Sequence, residues 1–387
     1  MSRPENGALS NHKQYVGFFS PSAPTARVLA RGWTLTVLFL GFLLSAFVSF
    51  VGPSVLRDEF FYDANTIAKV GHTAVEDRVG DEGSFAVIAD FYKAIGLIDH
   101  PLLAGLFGVA LGAVVIGLAI WRAGGLRCNL FSLALVSSAF LLNGVFLGQF
   151  TKEIMISMVV ALVVGLPRNK RADLVIICAM ILVSAEFRMY WALLLVVYLG
   201  FRFLLSPRIQ VNGRSLDFRK PWVTITAIVL ASVVFSLAIG IYTGDSGDHF
   251  RTSVNEVRLG DGSTATLIPR YVAGEGQLVG ILNNLLTMVF MVIPMPLLAL
   301  MRPYYLASAL LIFALWANVF LGFRKLKVST NTWALRAFAL MVGFLVAQGV
   351  FEPDYGSALR HLAPLVPALI LLHEFPVNEK TTLGKGN

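Results

Sequence analysis

Long apolar blocks recur along almost the whole chain, and they constrain its fold more than any other feature of the sequence. The blocks lie at about 33–56, 101–121, 128–149, 154–167, 173–187, 189–206, 221–243, 303–323, 332–351 and 361–373. A helix of about 20 apolar residues crosses the hydrocarbon core of a bilayer. Only 14% of the residues are charged, against about 25% in soluble domains. These features exclude a soluble globular domain and predict an all-α, polytopic transmembrane helix bundle.

One further apolar segment, 279–301, differs from the other blocks. It contains Asn283, Asn284, Pro294 and Pro296. Proline interrupts a helix and frees carbonyl groups, which within a membrane must be buried in protein or face water. We therefore predict that this segment enters the bilayer from one face and returns as a re-entrant or interfacial segment. The bundle then has about ten spans in addition to this segment.

The placement of charge predicts the topology, because Lys and Arg collect on cytoplasmic loops. Segments 1–32, 122–127, 168–171 and 202–220 are basic. By contrast, segment 57–100 has nine carboxylates against four cations, and segment 244–278 has five against three. The formal net charge of +8 therefore reflects cytoplasmic loops rather than one basic face, so we predict no nucleic-acid partner.

This topology predicts three parts. They are a cytoplasmic amino-terminal tail (1–32), a single transmembrane domain (33–373) with external loops 57–100 and 244–278, and a cytoplasmic carboxy-terminal tail (374–387). The protein is then a multi-pass protein of the cell inner membrane with both termini in the cytoplasm. The first external loop carries an apolar stripe at helical spacing, which predicts an amphipathic helix lying on the membrane surface over 83–97.

Ionisable residues close to lipid are costly and are therefore candidates for function. They fall at four places that the topology assigns to the external face: Asp58, Glu59 and Asp63; Lys152 and Glu153; Glu186, Arg188 and Tyr190; and Glu352, Asp354, Tyr355, Arg360 and His361. Because four different hairpins end on the same side, we predict that these groups line one outward-facing cavity.

Each group also has a purely structural interpretation, which the sequence leaves open. Asp58 and Glu59 would be solvated carboxylates at a helix exit, and Glu153 would interact with a helix dipole. Glu186 and Arg188 would form an ion pair between helices. Arg360 and His361 would anchor a helix end at the membrane interface.

Cations and carboxylates in an external cavity suit a lipid-linked donor that carries a phosphate or pyrophosphate. Arg and Lys hold the phosphate and stabilise the leaving anion, and a carboxylate or histidine takes the proton from the attacking sugar hydroxyl. A divalent cation, Mg or Mn, held by carboxylates would replace some of the protein cations.

Two families share features with these residues. The Asp58-Glu59 pair, followed by an amphipathic segment in the first external loop, resembles the polytopic glycosyltransferases of the GT-C class. That resemblance implies a base or metal-ligand role for the acidic residues at this position, with Asp63 nearby. The Lys152-Glu153 turn, the Pro-x-Pro at 294–296 and the sequence 354–364 resemble the O-antigen and exopolysaccharide polymerases. In those proteins external arginines engage undecaprenyl-diphosphate glycans, which implies that role for Arg188 and Arg360.

The function predicted from the sequence is transfer of a sugar or glycan from a polyprenyl-phosphate-linked donor on the external face of the membrane. The predicted catalytic residues are Asp58, Glu59 and Asp63, and the other residues of the four groups would bind substrate. The predicted partners are a polyprenyl-phosphate-linked sugar or oligosaccharide and the membrane lipid. Two alternatives remain: a transporter or flippase, which requires ionisable groups at mid-depth, and a non-catalytic membrane assembly subunit.

Overall fold

A computed structural model describes residues 23–75, 78, 83–205, 210–211, 214–215, 220–260, 266–326 and 332–375. Most of the two predicted cytoplasmic tails, 1–22 and 376–387, lies outside the described residues. The described chain is built from α-helices, apart from two short turns of 3₁₀-helix and the two-residue strands Gln210–Val211 and Arg214–Ser215, which pair antiparallel. The prediction of an all-α fold is confirmed.

The α-helices follow one another along the whole described chain. They are α1 (Ala23–Val55), α2 (Tyr62–His72), α3 (Gly83–Ala94), α4 (Pro101–Arg122), α5 (Leu130–Phe146), α6 (Glu153–Gly165), α7 (Lys170–Glu186), α8 (Tyr190–Leu204), α9 (Pro221–Thr243), α10 (His249–Gly260), α11 (Gln277–Val292), α12 (Met295–Ala299), α13 (Pro303–Leu326), α14 (Thr332–Phe351), α15 (Tyr355–Leu362) and α16 (Val366–Glu374).

Within the described chain, six helices are long and apolar enough to cross a membrane. They are Arg31–Val55, Pro101–Arg122, Pro221–Thr243, Pro303–Leu326, Thr332–Phe351 and the continuous pair Tyr355–Glu374. Four shorter apolar helices accompany them: Leu130–Phe146, Glu153–Gly165, Tyr190–Leu204 and Gln277–Val292. The exposed surface of α1 carries large apolar side chains, among them Phe39, Phe47 and Phe50, and a lipid environment would cover them. The chain therefore has the character of a membrane protein.

Helix α14 forms the centre of the bundle. Its residues from Ala334 to Val350 are all buried, and α8, α9, α11 and α16 pack around it. A helix that is apolar on all sides is buried in this way. The turn that follows α14 carries Glu352, so the central helix fixes one part of the candidate site.

Close contacts between α1, α4 and α5 fix the turn that carries Lys152 and Glu153. A Cβ atom built on Gly108 would lie 2.0 Å from the backbone oxygen of Leu147, so only glycine fits there. The Ser49 hydroxyl donates a hydrogen bond to the backbone oxygen of Gly148 at 2.6 Å. Small residues at helix interfaces allow this approach of two backbones.

Turns of the chain gather at two ends of the bundle. We call the end that carries the two long loops the loop end. There the turn after α5 contacts the segment after α1, because the Gln149 side chain donates a hydrogen bond to the Phe60 carbonyl at 3.1 Å. At the opposite end, here the basic end, the Arg127 backbone N–H donates to Glu374 at 3.1 Å. Lys325 there donates to the His373 carbonyl.

Segment α11–α12 begins and ends at the loop end. At its start, the Gln277 side chain donates to the Asp245 carbonyl at 2.7 Å. After its end, the Tyr304 ring lies 6.5 Å from that of Phe60, centroid to centroid. Pro294 separates the two helices, as the sequence predicts for a proline in an apolar segment.

The two helices of the first long loop, α2 and α3, pack against each other. Helix α3 occupies most of the predicted helix at 83–97, and it packs against α2. Ile88 and Tyr92 of α3 and Ile67 of α2 are fully buried in one apolar cluster. The predicted apolar stripe is therefore covered in part by protein, and this packing holds α2 and its Asp63 in place.

Candidate functional site

Seven ionisable side chains meet at the loop end, and we refer to them as the charge cluster: Asp63, Lys152, Glu153, Arg188, Glu352, Arg360 and His361. They come from α2, the α5–α6 turn with the start of α6, the α7–α8 turn, the α14–α15 turn and α15. Residues far apart in the sequence therefore share one site, as the four hairpins predict.

Glu153 lies at the centre of the cluster. Its side chain has no exposed surface, and its Oε1 atom lies 2.8 Å from an Arg188 guanidinium nitrogen. The same oxygen lies 3.6 Å from His361 Nε2 and 3.9 Å from Arg360 Nε. Glu153 is also the first residue of α6, where the helix dipole favours a negative charge. A buried carboxylate requires such partners to remain ionised.

Asp63 contacts Arg360 as well and adds Lys152 to the cluster. Its Oδ2 atom lies 3.1 Å from Arg360 and 3.7 Å from Lys152 Nζ. The Lys152 ammonium also lies 3.4 Å from the centre of the Phe85 ring, which is a cation–π contact. Burial lowers the pKa of Lys152 to about 8. The negative charge of Asp63 raises this pKa, and the positive charges of Arg188 and Arg360 lower it.

Glu352 and His361 form a pair on the other side of Glu153. His361 Nδ1 lies 2.9 Å from Glu352 Oε2, and the Gln348 side chain lies 3.3 Å from the same ring nitrogen. Burial, with the negative charge of Asp354 nearby, raises the pKa of Glu352 to about 8. A proton can therefore reside on this pair near neutral pH.

Several buried polar atoms of the cluster lack a hydrogen-bond partner among the described residues. They are Asp63 Oδ2, Glu153 Oε2, Glu352 Oε1, Arg360 Nε and His361 Nε2. An unsatisfied buried polar atom costs about 1–3 kcal/mol. The cluster therefore holds both donor and acceptor atoms whose hydrogen-bonding capacity the described residues leave unused.

The structure brings most of the predicted site residues together. Besides the seven members of the cluster, Tyr190 joins it, because its hydroxyl lies 2.7 Å from Arg188. Arg188 pairs across to Glu153 on α6, and Glu186 lies exposed at the end of α7. Arg188 therefore forms an ion pair between helices, but its partner is Glu153 and not Glu186.

The Asp58-Glu59 pair does not reach the cluster. Asp58 begins a short 3₁₀ turn, and both side chains are exposed there. Glu59 forms an ion pair with Arg57 at 2.9 Å. Asp63, in the first turn of α2, is buried, whereas Asp58 and Glu59 in the preceding 3₁₀ turn are exposed.

Asp354 and Tyr355 lie beside the cluster and contact the helices that surround it. Asp354 caps α15, because it accepts a hydrogen bond from the Ser357 backbone at 2.8 Å, and it also pairs with Arg258 of α10. The Tyr355 hydroxyl donates to the Phe290 carbonyl at 3.2 Å. These contacts hold the α14–α15 turn.

The second long loop closes over this turn. The Ile268 backbone donates to the Pro353 carbonyl at 2.8 Å, and the Tyr355 backbone donates to the Thr266 carbonyl at 3.0 Å. Arg251 of α10 is buried and donates to the Gly349 carbonyl at 3.1 Å. Part of the second loop is therefore an ordered cap on the Glu352 side of the cluster.

Gln348 is a site residue that the sequence analysis did not identify. It is buried near the end of α14 and contacts His361. The sequence could have indicated this residue, because Gln348 is a polar amide within the apolar block 332–351, where it requires a polar partner.

Comparison with family models, with curated proteins and with solved structures finds no match for this chain. The described residues contain no group of three His, Cys, Asp or Glu side chains placed to hold a metal ion, so they do not fit the predicted Mg or Mn.

The three cations of the cluster differ in their carboxylate partners. Lys152 and Arg360 both contact Asp63, whereas Arg188 contacts the fully buried Glu153. Arg360 is the most exposed of the three, with 21% of its side chain accessible against 12% for Lys152 and 11% for Arg188. A bound anion would therefore reach Arg360 first and compete with Asp63 for Arg360 and Lys152.

Proposed function

We propose that the protein is an integral membrane glycosyltransferase or polysaccharide polymerase. It transfers a sugar or glycan from a polyprenyl-phosphate-linked donor at the external face of the membrane. The observation that carries this proposal is the convergence of three cations, three carboxylates and a histidine from separate hairpins at one end of an apolar helix bundle. A site at the ends of membrane-spanning helices would lie at the depth of lipid phosphates, which supports a lipid-linked donor.

Lys152 and Arg360 bind the donor phosphate in this proposal. The phosphate oxygens compete with Asp63 for both cations and accept charge-assisted hydrogen bonds from them. Arg188, which contacts Glu153, adds a third positive charge near the phosphate. When the sugar–phosphate bond breaks, the developing negative charge on the leaving phosphate is stabilised by these groups, which is preorganised electrostatic catalysis.

The Glu352–His361 pair accepts the proton of the attacking sugar hydroxyl. We assign this role to the pair rather than to Asp58 and Glu59, because the pair lies within the cluster and the two carboxylates lie outside it. The hydroxyl oxygen bonds to the anomeric carbon, the anomeric carbon–phosphate oxygen bond breaks, and the proton moves to the pair. Because the pKa of Glu352 is raised to about 8, only its ionised fraction near neutral pH accepts the proton, and a pKa this close to the working pH suits a general base.

The membrane topology that accompanies this function has about ten spans. Helices α1, α4–α9, α13, α14 and the pair α15–α16 cross the bilayer, and α11–α12 forms the re-entrant segment. The positions of Gln277 and Tyr304 at the loop end support the re-entrant path. The loop end is external and the basic end is cytoplasmic, because cations concentrate at the latter.

The proposal is tested in cells that depend on the protein for their surface glycan. Arg360→Gln should abolish the polymeric or decorated glycan and leave the lipid-linked donor unconsumed, whereas Arg360→Lys should retain part of the activity. The matched control is Glu59→Gln, which removes an exposed charge outside the cluster. Gel analysis of the glycan, with blotting for protein level, gives the result. Normal glycan from both Arg360→Gln and Lys152→Gln at wild-type protein levels would refute the proposal.

The position of the unconsumed donor separates the enzyme from its alternatives. An enzyme acting externally leaves the donor on the outer leaflet, where an added glycosidase reaches it. A flippase leaves the donor on the inner leaflet, and an assembly subunit changes complex formation instead. The cluster lies at helix ends rather than at mid-depth, which favours the enzyme over a transporter.

A further inference from the structure

Three side chains converge on the end of α6 at the basic end of the bundle. The carbonyl groups of Gly165, Leu166 and Pro167 lie at a helix carboxy-terminus and lack partners within their own helix. Arg122 donates to Gly165, and Arg336 donates to Leu166 and Pro167 at 3.1 and 3.0 Å. The Trp333 indole N–H donates to Leu166 at 2.8 Å. The position of Trp333 is therefore fixed.

Two guanidinium groups lie over this tryptophan. The Arg168 guanidinium carbon lies 3.8 Å, and that of Arg122 4.4 Å, from the centre of the Trp333 ring. Burial, together with the positive charges of Arg122 and Arg336, lowers the pKa of Arg168. Guanidinium groups remain charged at neutral pH all the same, so two positive charges share one aromatic surface.

Among the described residues, no carboxylate neutralises these two charges. The nearby Asp173 pairs with Arg202 at 3.2 Å and with Arg336 at 2.8 Å. Within the described residues, neither Arg122 nor Arg168 forms an ion pair with a carboxylate. The Nε atom of Arg122 is buried and has no hydrogen-bond partner in the same part of the chain. Arg168 is exposed, so an anion from the surroundings can reach these two charges, which have no carboxylate partner in the described part of the chain.

The location of the pair indicates which anion. Arg122 ends α4, a helix long enough to cross the membrane, so it lies at the level of the lipid phosphates. The adjacent Trp121 is 66% exposed, and exposed tryptophans occupy this interfacial level. The Arg122 guanidinium lies 4.6 Å from the Trp121 ring as well.

We propose that Arg122 and Arg168, held over Trp333, form a binding site for the phosphodiester of an anionic phospholipid. Arginine recognises phosphate oxygens through paired hydrogen bonds, and basic pockets between helices bind anionic headgroups. A zwitterionic lipid presents the same phosphate with an ammonium group that the two arginines repel. The site therefore selects lipids by net headgroup charge. It is independent of the charge cluster, which lies at the other end of the bundle.

The test uses the full-length protein, purified in detergent and titrated with phosphatidylglycerol or phosphatidylcholine under native mass spectrometry. Wild-type protein should bind phosphatidylglycerol more tightly, and Arg168→Gln should weaken that binding roughly fivefold, as expected for one interfacial cation. Arg168 is the variant of choice, because the hydrogen bonds that fix Trp333 come from other residues. Arg122→Gln should have a similar effect.

Two controls remove the same charge elsewhere. Lys69→Gln lies on the exposed side of α2 at the loop end, and Arg171→Gln lies at the start of α7 away from the tryptophan contacts. Neither should lower the preference for phosphatidylglycerol by more than about twofold. Equal binding of the two lipids by wild-type protein, or an unchanged preference in both Arg168→Gln and Arg122→Gln, would overturn the proposal. Complete displacement of the lipid by millimolar inorganic phosphate would overturn it as well, because the site would then be one for free phosphate.

Discussion

At the scale of single residues, Glu153 is the group on which the cluster most depends. It has no exposed side-chain surface and contacts Arg188, Arg360 and His361. Glu153→Gln removes the negative charge and leaves buried cations without their counter-ion. We expect the free energy of unfolding to fall by about 3–5 kcal/mol, as for other buried pairs broken on one side.

Thermal unfolding in detergent measures this effect. The control is Glu59→Gln, whose exposed ion pair should contribute about 0–1 kcal/mol. The double variant Glu153→Gln/Arg188→Gln should regain part of the loss, because it removes the stranded charge of Arg188. Equal melting temperatures for Glu153→Gln and the wild type would contradict a stabilising role for the Glu153 side chain in the cluster.

The pH dependence of donor binding follows from two residues. The pKa of Lys152 is lowered to about 8 and that of Glu352 is raised to about 8, both mainly by burial. As pH rises through 8, Lys152 loses its positive charge and Glu352 gains a negative one. Both changes disfavour an anionic donor, so its KM should rise above pH 8.

Lys152→Arg provides the discriminating variant for this prediction. The guanidinium keeps its charge at alkaline pH, so the rise in donor KM should move to higher pH in the variant. The measurement is the donor KM between about pH 6.5 and 9.5, a window that includes the titration of both groups. An identical alkaline limb in both proteins would exclude Lys152 as its source.

At the scale of helices, the packing of α4 against α5 determines the position of the Lys152–Glu153 turn. Gly108→Ala would place a Cβ atom 2.0 Å from the backbone oxygen of Leu147. We expect it to destabilise the protein by about 1–3 kcal/mol, which is typical of overpacking. It should also raise the donor KM, because the turn after α5 must move.

Gly117→Ala is the matched control in the same helix. The nearest atom to a Cβ there is Leu38 Cδ1 at 3.9 Å, which is an ordinary contact. This change should be neutral or stabilising, because alanine favours a helix over glycine by about 1 kcal/mol. Thermal unfolding and donor KM of the two variants check the prediction, and similar behaviour of both would contradict the close approach of α4 and α5.

The same helices illustrate what can be predicted from the sequence. The apolar block 101–121 corresponds to Pro101–Arg122, and the block 332–351 corresponds to Thr332–Phe351. Apolar length alone defines such helices. Helices α2 and α10 are short and polar in part, so their formation depends on tertiary contacts that hydropathy does not encode.

At the scale of the whole molecule, hairpin topology accounts for the shared site. Asp63, Lys152, Arg188 and His361 follow or begin apolar blocks on one predicted side, and the structure brings them together. The choice of partners could not be predicted in the same way. Whether Arg188 meets Glu153 or Glu186 depends on the rotation of α6 and α7 about their axes, which side-chain packing determines.

The sidedness of the bundle gives the last prediction. Cys128 is exposed in the α4–α5 turn at the basic end, and Glu59 is exposed at the loop end. In spheroplasts, a membrane-impermeant maleimide should label Glu59→Cys in a Cys128→Ser/Cys178→Ser background. The same reagent should label Cys128 in a Cys178→Ser background only after permeabilisation, because position 59 lies at the loop end of the bundle and Cys128 at the basic end. The cysteine-free background controls for nonspecific labelling. Labelling of both positions from outside would mean that α4 does not cross the bilayer. The reverse pattern would put the charge cluster in the cytoplasm, where a donor on the outer leaflet does not reach it.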